Sequence, residues 1–146
     1  MDDLDIGWRW FDLRSVSDTV IQQLVMSMKR LEISCWGLTE DQRVVLFNSI
    51  SQSPQLVTLK LHHAYYPDLS KLFNHLLVTD QPRLKHLTLV WSYLYKYDPA
   101  TLAHSLSKLE SVDMTDSFAP PALLPMLAEK IKSGSSNLKD FHFSKK

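Results

Sequence analysis

An apolar residue followed at +3 and +5 by two more recurs six times along 146 residues. The copies are Met1-Leu4-Ile6, Met28-Leu31-Ile33, Leu56-Leu59-Leu61, Leu84-Leu87-Leu89, Leu109-Val112-Met114 and Leu138-Phe141-Phe143, with steps of 27, 28, 28, 25 and 29 residues. A phrase that returns at such a period is the signature of a stack of similar units rather than of a single folded knot. Whatever the chain does, it does on a repetitive scaffold.

Within each copy the second and third apolar residues lie two apart, so a strand puts them on one face and turns the residue between them, such as Lys60, to the other. The pattern then changes. Thr39-Glu40-Asp41-Gln42 reads as a capping box, with Thr39 accepting from the Gln42 amide, and opens a helical stretch through Val45, Leu46 and Ile50 that Pro54 ends. Ser17 precedes Val20, Ile21 and Leu24; Asp68 precedes Leu72, Phe73 and Leu76; Asp98-Pro99 is an N-cap with proline at the first helical position, ahead of Leu102 and Leu106. The last helix follows prolines 120, 121 and 125 through Leu127 and Ile131 to a Ser-Gly-Ser-Ser stop. The 25-residue step predicts a shortened helix. One strand, one turn and one helix fill each period, and such units bury their apolar faces only by stacking, which gives a parallel sheet on one side and helices on the other.

Composition narrows the class. Sixteen basic and sixteen acidic residues cancel, which leaves no electrostatic footprint for nucleic acid or an anionic membrane surface. No window approaches a membrane span, and Met1-Asp2-Asp3 is the opposite of a signal or transit peptide. The single cysteine, Cys35, has no partner for an internal disulfide and favours a reducing compartment, so the expected location is cytoplasmic.

The second unit, Leu31-Glu-Ile33, Trp36-Gly-Leu38-Thr39, Leu46-Phe-Asn-Ser-Ile50 and Ser53-Pro54-Gln-Leu56, resembles a leucine-rich repeat of the ribonuclease-inhibitor type. Leu102-Ala103-His-Ser-Leu106 and Leu127-Ala128-Glu-Lys-Ile131 are similar helix signatures. The resemblance covers essentially the whole chain. It implies one α/β leucine-rich repeat solenoid over residues 1–146, about five and a half repeats, with a six-stranded curved parallel sheet on the concave side and helices on the convex side. The strands are expected near residues 3–7, 30–35, 57–62, 86–90, 111–115 and 140–144. The chain departs from the family where asparagine or cysteine usually satisfies turn backbone groups: Arg9, Trp36, Ala64, Ser92, Ser117 and Lys146 stand there. The ladder is expected to be missing and the turns irregular.

Carried over position by position, four columns of residues face the concave side. The first holds Arg30, Thr58, His86, Ser111 and Asp140 after Asp3; the second holds Glu32, Lys60, Thr88, Asp113 and His142 after Asp5. The third holds Ser34, His62, Val90, Thr115 and Ser144 after Gly7; the fourth holds Trp8, Cys35, His63, Trp91, Asp116 and Lys145. Trp8, Trp36 and Trp91, with Tyr65, Tyr66, Tyr93, Tyr95 and Tyr97 in the turns, point to a protein-binding surface, since Trp and Tyr are enriched at interface hot spots. The competing reading is that these rings fill irregular turns. The candidate binding residues are Trp8, Arg30, Glu32, Lys60, His62, His63, His86, Trp91, Tyr93 and Asp113. Acidic residues near the first strands and Lys60, His62, His63 and His86 in the middle make a charge gradient that a partner with a basic feature near the first would fit. A merely solvated face explains it equally well.

Catalysis and cofactors find no support. Cys35, His62 and His63 lie on adjacent strands but lack CxxC or HxxxH spacing, and a Cys35-His63 pair has no oxyanion loop or orienting group beside it. Three glycines leave no room for a phosphate loop. The expectation is a non-enzymatic protein-protein interaction module without metal or cofactor. The resemblance implies the repeat region of a cytosolic sensor or adaptor similar to the NOD-like receptors of innate immunity. Two alternatives are the substrate-recognition repeats of a ubiquitin-ligase adaptor and a small stand-alone inhibitor of another protein. The repeat phrase starts at Met1 and runs to Phe143 without polar caps, so the chain is expected to be a piece of a longer array or to self-associate through its ends.

Overall fold

The computed structural model describes residues 16–79 and 82–143. Helices and strands alternate: α1 (Asp18–Met26), β1 (Arg30–Ser34), α2 (Glu40–Gln52), β2 (Thr58–His62), α3 (Tyr66–Val78), β3 (His86–Tyr93), α4 (Pro99–Leu106), β4 (Ser111–Phe118), α5 (Leu123–Lys132) and β5 (Asp140–Phe143). The strands form one parallel sheet in chain order, β1 to β5. The described residues thus carry five strands rather than the six expected. The remaining expected strand, at 3–7, lies outside them, as does the end of the 140–144 strand.

The capping chemistry sets where the helices begin. The Ser17 hydroxyl accepts from the Val20 amide, the Thr39 capping box is complete with Gln42 returning to the Thr39 amide at 3.0 Å, and Asp98 accepts from the Thr101 amide at 3.0 Å. Helix α3 differs from expectation. It opens two residues before Asp68, with Tyr65 as a cap that makes no side-chain bond and Pro67 in the first turn. Asp68 is released from capping and pairs with Arg43 instead, Nε to Oδ2 at 2.8 Å. Helix α4 has eight residues against thirteen in α2 and α3, which accounts for the short 25-residue step.

The repeat residues meet in one core. Met28, Leu56, Leu84, Leu109 and Leu138, the first letters of the five described phrases, are all buried, as are Leu31, Ile33, Leu59, Leu61, Leu87, Leu89, Val112 and Met114 from the strands. Leu46, Phe47, Leu72, Phe73, Leu76, Leu102, Leu106, Leu123 and Leu127 meet them from the helices. Each such side chain stabilises by roughly 1.5–3 kcal/mol when fully removed from water. Every helix packs on the next along the chain, α1 on α2 through α4 on α5. Side chains tie neighbouring units: Lys108 Nζ donates to the Leu77 and Thr79 carbonyls left open at the end of α3, and Ser105 Oγ donates to the Phe73 carbonyl within α3 at 3.1 Å. The alternate strand residues, Glu32, Lys60, Thr88 and Asp113, lie only partly buried on the other face. The sheet therefore offers one polar face.

Candidate functional site

Two of the expected columns form as read across β1 to β5, their first members, Asp3 and Asp5, lying outside the described residues. Arg30 pairs with Thr58, then His86, Ser111 and Asp140; Glu32 pairs with Lys60, then Thr88, Asp113 and His142. The third and fourth columns do not. Ser34, His62 and Val90 align, but Val90 pairs with Asp116 instead of Thr115, because β4 holds an extra residue between Asp113 and Asp116. A compensating extra residue in β3 between Val90 and Tyr93 restores the register, so that Tyr93 pairs with Phe118.

Backbone conformation explains the fourth column. Strict alternation after Leu31 and Ile33 sends Cys35 inward, where it is fully buried, and not onto the face. His63 and Trp91 occupy the same position in the next two units yet stand in solvent, because both adopt left-handed backbone, φ 55° and 54°. That single reversal advances the alternation by one and places Ala64 and Ser92 inside. In β1 no such reversal occurs, so Trp36 is left outside and 68% exposed.

The residues turned inward replace the missing asparagines. The Ala64 amide donates to Ser92 Oγ at 3.2 Å, and the Ser92 amide donates to Ser117 Oγ at 3.1 Å. Each hydroxyl also donates onward, Ser92 to the Val90 carbonyl at 3.4 Å and Ser117 to the Leu89 carbonyl at 2.8 Å. A serine ladder thus stands at two positions where none was expected. The sequence signal was present, as Ser92 and Ser117 follow the last inward strand residues, Leu89 and Met114, by three.

Aromatic side chains gather just beyond this ladder. Tyr65, Tyr93 and Phe118 directly follow Ala64, Ser92 and Ser117. Tyr93 stacks on Phe118 with centroids 5.0 Å apart and planes within 6°, and Tyr95 lies over the same Phe118 ring at 6.0 Å. Trp91, Tyr93 and Tyr95 are 49%, 59% and 54% exposed. Tyr97 is different: it packs edge-on against Phe73 at 5.2 Å and its hydroxyl accepts from Ser70, so it fills a turn. Tyr65 carries the Arg43 guanidinium over its ring at 4.7 Å. Trp8 and the side chain of Tyr66 lie outside the described residues.

The charged residues are largely matched within the face. Glu32 Oε2 lies 2.8 Å from His62 Nε2 and 3.6 Å from Lys60 Nζ. His62, expected on the surface, is only 5% exposed, because the bond to Glu32 draws its ring toward β1 instead of into solvent. Burial pushes its pKa below the ordinary histidine value, with Glu32 opposing and Lys60 and His63 assisting. His86 Nδ1 lies 2.8 Å from Ser111 Oγ. Burial alone would raise the Asp113 pKa, but bonds from the Thr115 hydroxyl and amide outweigh it and hold the carboxyl below its usual range. Arg30 and His63 stand exposed.

Reactive groups are not assembled. Burial, with Asp68 adding to it and Arg43 opposing, pushes the Cys35 thiol up to about 12. Among the described residues no three His, Cys, Asp or Glu side chains are placed to hold a metal ion, and no helix is long and apolar enough to cross a membrane. What these elements define is an α/β protein with a five-stranded parallel sheet, one apolar face under helices and one polar face ending in exposed rings. No protein-family model and no curated protein matches the chain.

Proposed function

We propose that the chain is a leucine-rich repeat solenoid of ribonuclease-inhibitor-like type that binds another protein and carries out no chemistry. The observation that carries this reading is the set of exposed rings Trp91, Tyr93 and Tyr95 at the carboxyl end of β3, the two tyrosines packed on Phe118 of β4. Rings of this size carry large contact area at low entropic cost, and they are seldom left in water without a partner. Trp91 and Tyr93 stand on a paired strand beside the serine ladder rather than on a free loop. Within this reading the module serves a cytoplasmic sensor or adaptor, resembling the repeat regions of NOD-like receptors, with the exposed His63, at the carboxyl end of β2, beside the contact.

The test is affinity capture from cytosolic extract with the chain as bait, repeated with Trp91→Ala and Tyr93→Ala combined. Loss of a specific partner while the variant keeps its far-ultraviolet circular dichroism supports the reading. Retention of every specific partner removes the basis for it.

A further inference from the structure

The rings beside Asp116 lack one component that the same molecule supplies to itself one unit earlier. There, Tyr65 carries the Arg43 guanidinium over its ring at 4.7 Å, and Arg43 is held by Asp68 at 2.8 Å. Ring, guanidinium and carboxylate form a closed set. In the following unit Trp91 and Tyr93 supply rings, and Asp116 supplies an exposed carboxylate on β4, where it is the register partner of Val90, the residue before Trp91. Asp116 makes no side-chain hydrogen bond or ion pair among the described residues, in contrast to Asp113, which Thr115 holds at 2.6 Å. No arginine of the described chain reaches this position: Arg43 is committed to Asp68 and the Leu38 carbonyl, Arg30 begins β1, and Arg83 lies beside the end of α3.

We infer that the Trp91-Tyr93-Asp116 surface takes an arginine side chain from the partner protein, its guanidinium stacked on a ring and paired with the Asp116 carboxylate. The inference rests on the protein-binding reading above and names the partner's chemistry. Arginine fits better than lysine because its flat, weakly hydrated guanidinium stacks on an aromatic face while its N–H groups still meet a carboxylate. Glu32 and Asp113 on the same face are already held, Glu32 by His62 and Lys60 and Asp113 by Thr115. The rings give the contact its area; the carboxylate gives it sign.

The test is selection from a random short-peptide library displayed on phage against the whole chain, with the Trp91→Ala plus Tyr93→Ala variant used to remove unrelated binders. The expected result is enrichment of arginine-bearing peptides. For a synthesised winner, replacing its arginine by lysine, or Asp116→Asn in the protein, weakens binding roughly tenfold. Enriched peptides that depend on Trp91 and Tyr93 but carry no arginine, or that ignore Asp116→Asn, overturn the arginine assignment and leave the binding surface standing. Failure to enrich any ring-dependent peptide counts against both. Asp116 is exposed, so the Asn variant is expected to fold, and matched thermal melts verify it.

Discussion

The Ser117 hydroxyl accepts from the Ser92 amide at 3.1 Å and donates to the Leu89 carbonyl at 2.8 Å, satisfying two backbone groups of a neighbouring strand with one atom. Ser117→Ala removes both bonds and takes from the buried Ser92 amide its hydroxyl acceptor. The expected cost is about 1–3 kcal/mol of unfolding free energy, read from urea denaturation. Ser117→Ala at wild-type stability would mean that the ladder is incidental.

Arg43 joins three elements: it pairs with Asp68 in α3, donates to the Leu38 carbonyl at 2.8 Å and covers the Tyr65 ring. Removing it strands a nearly buried carboxylate whose pKa burial already raises against Arg43's attraction. Arg43→Ala is expected to cost about 2–3 kcal/mol, moderated by the partial exposure of the pair. Arg43→Lys should recover only part of this, because a point charge cannot stack, pair and donate at once. Equal stability of Arg43→Lys and wild type, in parallel denaturant titrations, contradicts the three-way role.

How far the chain is legible from its residues follows from these two sites. The period-28 leucines, the Thr39 box and the Asp98-Pro99 start are local patterns, and the described strands and helices stand where they point. The Arg43-Asp68 pair is not local, and Asp68 reads as a helix-start residue until α3 is seen to open before it. The left-handed residues His63 and Trp91 are invisible to period-two reasoning, since neither is glycine. They decide that His63 and Trp91 turn out where Cys35, at the same place in β1, turns in, and that Ser92 enters the ladder. His62 reads as a surface residue because alternation fixes its side of the sheet but not the reach of Glu32 on the next strand.

His62 sets part of the pH response. Burial lowers its folded pKa, so below the ordinary histidine value the unfolded chain binds more protons than the folded one. Its contribution to stability is complete above about pH 6.5 and is lost as pH falls through that value toward the lowered folded pKa. Burial also lowers His104, with Lys130 and Lys108 assisting, so it acts in the same direction. Melting temperatures measured from about pH 7.5 to about pH 5.5 should therefore fall for wild type and fall less for His62→Gln. Parallel curves for the two proteins exclude His62 as a contributor.

Cys35 offers a direct probe of the folded core. With the thiol buried and its pKa near 12, a disulfide reagent at about pH 8 should leave it unmodified in the native chain and react fully after denaturation. Rapid native labelling would place Cys35 on the surface and contradict the inward alternation of β1.

The central claim, that the exposed rings at the carboxyl ends of β3 and β4 are the binding surface, is tested most directly by hydrogen–deuterium exchange of the chain with and without a captured partner. Protection concentrated in residues 63–65, 90–95 and 115–118 is the expected result. Protection confined to helices α2 to α4, with those three segments exchanging as in the free chain, contradicts it.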